Sequence, residues 1–153
     1  MSILEFINAT KIYNKKIILD NVSLNIDEGN IIALIGHNGA GKTTMMKLLL
    51  GLIIPSSGFV RVLGLDPANP DNIKIKCNLG FLPETVMFKH GMTGLGTLNF
   101  FSRLKQTNLT NNIKLLERVG LADVSGQNVK TYSKGMIQRL GLAQALLGSP
   151  RIL

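Results

Sequence analysis

Residues 36–43 read Gly36, His37, Asn38, Gly39, Ala40, Gly41, Lys42, Thr43, which is glycine, four free positions, then Gly-Lys and a hydroxyl residue. Five apolar residues, Ile31, Ile32, Ala33, Leu34 and Ile35, precede them without alternation, as expected of a strand buried on both faces of a parallel sheet. The run 42–52 that follows is rich in Met and Leu and predicts a helix. Strand, glycine loop and helix in that order are the setting a phosphate-binding loop requires. Gly36, Gly39 and Gly41 let the backbone turn tightly and bring its N–H groups to phosphate oxygens with no Cβ in the way. Gly41 opens the helix, whose amino-terminal dipole end adds positive potential under an anion. From there Lys42 reaches β- and γ-phosphates and the Thr43 hydroxyl reaches Mg²⁺. Asn38, Ala40 and Thr44 belong to the same cradle. His37 holds a free position of the pattern and reads more readily as a solvent-facing spectator than as a ligand or base.

A phosphate loop names a ligand class and leaves the machine open. Composition narrows it: 153 residues, 45% apolar and 17% charged, suit a folded globular chain rather than a disordered one. The longest greasy run, 48–54, is too short to cross a bilayer, and residues 1–6 lack the basic start and apolar run of a secretory signal. A cytoplasmic address is expected. Cys77, the single cysteine, cannot form an intramolecular disulfide and reads as a plain thiol. The formal charge of +8 is compatible with nucleic acid or an anionic surface, but the basic residues are scattered. Lys15-Lys16 and Lys74 with Lys76 are the local concentrations, and no basic run is interleaved with aromatics. A solvated basic surface is the better reading, and no nucleic-acid partner is expected.

Short alternating patterns at 3–8 and 22–26 predict strands, with a turn at 27–30. Pro55-Ser56-Ser57-Gly58 breaks the chain before another strand at 59–63, and 78–82 is a further strand candidate. From about Thr97 the pattern turns helical. Ile113, Leu116 and Leu121, then Met136, Leu140, Ala143 and Leu147, give two helices one apolar face each. The chain therefore divides into a strand-rich core, 1–93, a helical part, 94–148, and the start of a further strand, 149–153.

These landmarks resemble, in order and along the whole length, the ATP-binding subunits of ABC transporters: Tyr13, the phosphate loop, Gly80-Phe81-Leu82-Pro83-Glu84, then Tyr132-Ser133-Lys134-Gly135-Met136 opening a helix. The resemblance implies an α/β fold of the P-loop NTPase type, a mixed sheet plus a helical subdomain, with ATP and Mg²⁺ as ligands. It implies that Tyr13 stacks on adenine. Glu84 matches the end of a loop that reaches Mg²⁺ and the attacking water and touches the membrane partner, a position where the family more often has Gln; Thr43 and Glu84 are thus the implied metal ligands. Residues 132–136 stand where the family carries Leu-Ser-Gly-Gly-Gln, and Ser133 and Gly135 agree strictly. A Ser caps a helix and donates to phosphate, and a Gly allows close approach at the helix's positive end. In the family this element contacts the ATP held by the opposite subunit. A head-to-tail homodimer, a membrane permease partner and a place on the cytoplasmic face of the cell membrane are the implied assembly.

The wording of residues 36–44, 81–84 and 130–136, followed by Gln138 to Gly148, is most similar to the ATPase of the transporter that helps mature the copper centres of nitrous oxide reductase. Gly96 departs from the family, which usually has Glu there, and weakens the predicted start of the helical part. Residues 149–153 match the run into the family's second nucleotide motif, and the Asp, Glu and later His of that pattern have no counterpart up to Leu153. On this reading the fold lacks the C-terminal part of its core, exposes apolar sheet edges, is weakly stable and turns over ATP poorly. A non-catalytic nucleotide-binding remnant, and an ABC-type ATPase acting on nucleic acid, are the alternatives.

Overall fold

The computed structural model describes residues 2–88 and 91–153. Contacts gather into two compact units, Met1–Lys76 and Cys77–Leu153. The motif-based span 1–93 also includes Met1, Lys89 and His90, which lie outside the described residues.

The first unit is built on a three-stranded antiparallel sheet in the order β2-β1-β3, with β1 at Ser2–Tyr13, β2 at Lys16–Asp27 and β3 at Ser57–Val62. Strands β1 and β2 run well beyond the alternating stretches that predict them, because a tight hairpin carries the pairing out to Tyr13 and Lys16. Both turn residues, Asn14 and Lys15, have positive φ (46° and 66°), the geometry of a turn that matches strand twist. Bulges interrupt the ladder. Asn8 and Asn21 take left-handed backbone conformations, which Asn tolerates, and the Thr10 hydroxyl accepts the Asn21 N–H. The bulge at Asn8 brings Phe6 and Ala9, three residues apart, into one cluster with Leu19, Leu48 and Val60. Helix α1, Lys42–Leu49, packs there through Leu48, and Met45, Leu49 and Ile53 pack against the cluster. Burying a side chain such as Phe6 contributes on the order of 2 kcal/mol.

Helix α1 is shorter than the predicted 42–52. Gly51, at φ 66°, reverses the chain as Gly51 N–H donates to Leu48 O and Leu52 N–H to Lys47 O, satisfying the last carbonyls. The larger correction concerns residues 31–35. They belong to no strand, and their side chains face solvent, with Ile31 101% and Ile35 90% exposed. An apolar segment is buried as a central strand only when neighbours supply ladders on both edges, and none of the described strands pairs with it.

The second unit is helical. After α2 (Ile73–Asn78), whose first four residues belong to the first unit and last two to the second, it contains α3 (Gly94–Leu104), α4 (Asn112–Arg118) and α5 (Lys134–Ala145), with single 3₁₀ turns at Leu109–Asn111 and Val129–Thr131. Its core joins Leu98, Leu116, Leu121, Leu140 and Leu147. The Gly96 departure does not prevent α3 from starting early: the Thr93 hydroxyl accepts from Gly96 N–H at 3.0 Å and caps the helix. Buried polar groups are paired. Ser102 donates to Asn112, and Asn112 donates to Asn99, at 2.9 and 2.8 Å. The strand expected at 78–82 reduces to one parallel bridge, Leu79 to Ile152, because a single partner residue from 149–153 reaches it.

Candidate functional site

The phosphate loop lies in the first unit. Gly39 and Gly41 both have left-handed φ, 88° and 85°. At Gly41 a Cβ would lie 2.7 Å from Leu19 Cδ2 and 3.0 Å from the Ile18 carbonyl, so only glycine lets the loop rest against β2. The Ala40 N–H donates to the His37 carbonyl at 3.2 Å, closing a tight turn, and the Met45 N–H donates to the Gly41 carbonyl at 2.9 Å, starting α1. No side chain caps α1 and no acid stands in its first turn, so its amino-terminal N–H groups are turned to the loop without a protein anion over them. The Lys42 ammonium donates to the carbonyls of Gly36 and His37 at 2.6 and 2.8 Å, holding positive charge in the mouth of the loop. Asn38 and Thr43 are exposed and Thr44 is half-buried. The His37 ring meets the Asn38 carbonyl at 2.9 Å and is otherwise exposed. Such an arrangement accommodates a multiply charged phosphate.

Tyr13, in the same unit, ends β1 and is exposed; the Lys11 ammonium lies 5.0 Å from its ring centroid while also donating to the Ile54 carbonyl at 2.7 Å.

Glu84, Ser133 and Gly135 belong to the second unit. Ser133 is the N-cap of α5, its hydroxyl accepting from Met136 N–H at 3.3 Å, and no acid follows in the first turn. A Cβ at Gly135 would meet only the Ser133 Oγ, 4.0 Å away, so its surface is open. Tyr132, one residue earlier, is buried, and its hydroxyl donates to the Val124 carbonyl at 2.7 Å. Burial disfavours the phenolate and raises the pKa of Tyr132 above the ordinary tyrosine value. Gly94 makes room for that hydroxyl, since a Cβ there would overlap it. The segment leading into Ser133 is tied by Val129 N–H to Met92 O and Leu95 N–H to Ser125 O, both at 2.9 Å. Glu84 itself is exposed, and its carbonyl accepts from Gln138 Nε2 at 2.9 Å. No local sequence signal marks Gln138 or Gly94 as partners of these residues, because each contact joins positions far apart along the chain.

Among the described residues no group of three or more His, Cys, Asp or Glu could hold a metal, and no helix is long and apolar enough to cross a membrane. A hard divalent cation at the phosphate loop would rest on phosphate oxygens and the Thr43 hydroxyl, a donor set that suits Mg²⁺.

Comparison with known proteins accords with this geometry. The chain is 36% identical over 146 residues to the Lantibiotic transport ATP-binding protein SrtF of Streptococcus pyogenes, covering 95% of this chain and 62% of that protein. It is 35% identical over 159 residues to the Bacitracin transport ATP-binding protein BcrA of Enterococcus faecalis, covering 100% of this chain and 51% of the relative. The chain thus spans about half to two-thirds of the length of these curated relatives. A solved ATP binding subunit of an ABC transporter superposes with a TM-score of 0.86 at 26% identity, over 97% of this chain and 63% of that one. The cbiO1 protein of Clostridium perfringens, at 20% identity and a TM-score of 0.80 over 97% of this chain and 62% of that one, shares the fold. The family model described as ABC transporter matches residues 19–153, and the chain belongs to that family, with the fold of its ATP-binding domain.

Proposed function

We propose that this chain binds ATP and supplies the nucleotide-binding part of an ATPase that drives a membrane permease. The observation that carries the reading is the phosphate loop itself: a glycine cradle against β2, an α1 amino terminus with no side-chain cap, and the Lys42 ammonium held on the loop's own carbonyls. On ATP binding Lys42 exchanges the carbonyls of Gly36 and His37 for β- and γ-phosphate oxygens. The amides of residues 36–44, including His37, Asn38, Gly39, Ala40 and Thr44, wrap the phosphates, and the Thr43 hydroxyl faces the metal. A Mg²⁺ ion held there by the Thr43 hydroxyl would supply positive charge against that of the phosphates. Tyr13 stacks on adenine with the ring face that Lys11 leaves, or Lys11 moves aside.

Ser133 and Gly135 offer a second anion-binding end, at α5, to the nucleotide held by another copy in a head-to-tail homodimer. Glu84 reaches toward the metal and the attacking water, and its loop faces the permease at the cytoplasmic side of the membrane. This division of labour follows the motif spans 1–93, 94–148 and 149–153. The cargo is proposed on motif wording alone: residues 36–44, 81–84 and 130–136 favour copper-centre maturation of nitrous oxide reductase, whereas the curated relatives are named for lantibiotic and bacitracin transport. Co-purification with a permease from the natural source, and loss of copper loading on deletion, would support that cargo; retained copper loading would remove it.

The test of the core reading is ATP binding by calorimetry, with and without Mg²⁺. Saturable binding is expected, and Lys42→Ala should weaken it by at least about a hundredfold, as loss of a charge-assisted contact to phosphate requires. Equal affinity in the variant would overturn the assignment of the loop.

A further inference from the structure

The structure ties the Glu84 loop to the helix that begins at Ser133 through two contacts that the motif reading does not use. Gln138, half-buried on α5, donates its Nε2 to the Glu84 carbonyl at 2.9 Å. One turn further on, Gly141 is buried, and a Cβ there would lie 2.9 Å from Leu82 Cδ1 and 2.9 Å from Val86 Cγ2. The side chains on either side of Glu84 are therefore seated directly on the α5 backbone, and the carbonyl between them is held by α5's own amide. Beside Gln138, Arg139 donates to the carbonyls of Val119 and Gly120 at 3.0 and 2.9 Å, at the end of α4. This anchor fixes α5 against α4, so the helix is a rigid support rather than one that follows the loop. Among the described residues the Glu84 carboxylate has no hydrogen-bond or ion-pair partner, and its placement depends on its backbone being held.

We propose that Gln138 and Gly141 are positioning residues for Glu84: α5 carries the 82–86 loop with it, so that the end presenting Ser133 to phosphate and the loop presenting Glu84 to the metal and water keep a set spacing. The inference rests on the proposed role of Glu84. It makes α5 the element that transmits a change at one of these groups to the other. A donor is needed at position 138 because the Glu84 carbonyl accepts; a carboxylate of the same length would face that carbonyl with acceptors alone and push it away.

The experiment measures ATP hydrolysis in the assembled transporter against Mg²⁺ concentration, alongside Mg²⁺-free ATP binding. Gln138→Glu should lower kcat and raise the half-saturating Mg²⁺ concentration, each by about fivefold or more, the effect of one ordinary hydrogen bond, while leaving Mg²⁺-free ATP binding unchanged. Gln138→Lys, which keeps a donor, should stay close to the parent. Gly141→Ala should act like Gln138→Glu, and adding Val86→Ala, which removes two of the three methyl groups the new Cβ meets and leaves Leu82 room to shift, should restore much of the response. That rescue separates positioning from a general loss of folding. Glu84→Ala serves as the reference. If it shifts the Mg²⁺ response and Gln138→Glu does not, the positioning role is overturned and the reading of Glu84 survives. If Glu84→Ala leaves the Mg²⁺ response unchanged, the reading of Glu84 falls and the inference falls with it.

Discussion

Tyr132 shows how a departure from a family pattern is accommodated residue by residue. The family has Leu at this place in the signature; here a phenol is buried instead, and a buried hydroxyl needs an acceptor. Val124 supplies one at 2.7 Å, and Gly94 supplies the volume. Gly94→Ala should therefore destabilise the fold by about 1–3 kcal/mol through overpacking, and Tyr132→Phe by about 1 kcal/mol through the lost hydrogen bond. The double variant should lose less than the sum, because the phenylalanine removes the atom the new methyl strikes. Chemical denaturation of the four proteins measures this; strict additivity would mean that the two residues do not share the space. The same phenol gives a pH signature. Burial raises its titration above the ordinary 10.0, so the unfolded chain loses that proton first and stability falls as pH rises from about that value. Lys105 acts in the opposite sense. Desolvation lowers its titration below 10.5, against a smaller opposing pull from the Cys77 thiolate, so the unfolded chain holds that proton longer and stability rises with pH up to 10.5. In melts across the alkaline range, Tyr132→Phe should remove a falling component and Lys105→Met a rising one; identical slopes in all three proteins would contradict both assignments.

At the scale of the element, helix ends account for much of the local agreement between sequence and structure. Three helices close with the same paired hydrogen bonds, and two of them place glycine at the left-handed position, Gly51 after α1 and Gly120 after α4. The third, α3, places Gln106 there at φ 56°, exposed, with its N–H on Arg103 O and the Thr107 N–H on Ser102 O. A non-glycine residue in that conformation costs about 1 kcal/mol, so Gln106→Gly should raise stability by about that amount. A rise in the denaturation midpoint at constant slope is the expected result, and a fall would mean that the Gln106 side chain stabilises the turn. Helix α5 was legible from its apolar spacing because a helix satisfies its own backbone and needs from the sequence only one greasy face and workable ends. Of Ile113, Leu116 and Leu121, expected on one face, only Leu116 is buried on α4, since Ile113 is exposed and Leu121 enters the core past the helix end. The strands at 3–8 and 22–26 were legible in part. Their extensions to Tyr13 and Lys16 rest on bulges at Asn8 and Asn21 that shift alternation out of register, which a period-two reading cannot follow.

For the whole molecule, the exposed apolar residues at 31–35 are the largest divergence between expectation and structure. Ile31 and Ile35 face solvent almost completely, and such a stretch favours self-association. Ile31→Lys with Ile35→Lys should lower light scattering of the 153-residue chain without lowering its melting temperature, since neither side chain belongs to a core cluster. Increased scattering, or a lost transition, would show that these residues are packed in solution. The phosphate-loop pattern, Ser133 as the start of a helix and the apolar face of α5 were all determined by the sequence itself, because each depends on residues within a turn or two of one another. Tertiary structure alone decided that 31–35 forms no ladder, that 78–82 keeps a single bridge to Ile152, that Gly94 houses a hydroxyl and that Gln138 holds Glu84. A strand's hydrogen bonds and a buried group's partner come from residues distant in the chain, so no local pattern can state them.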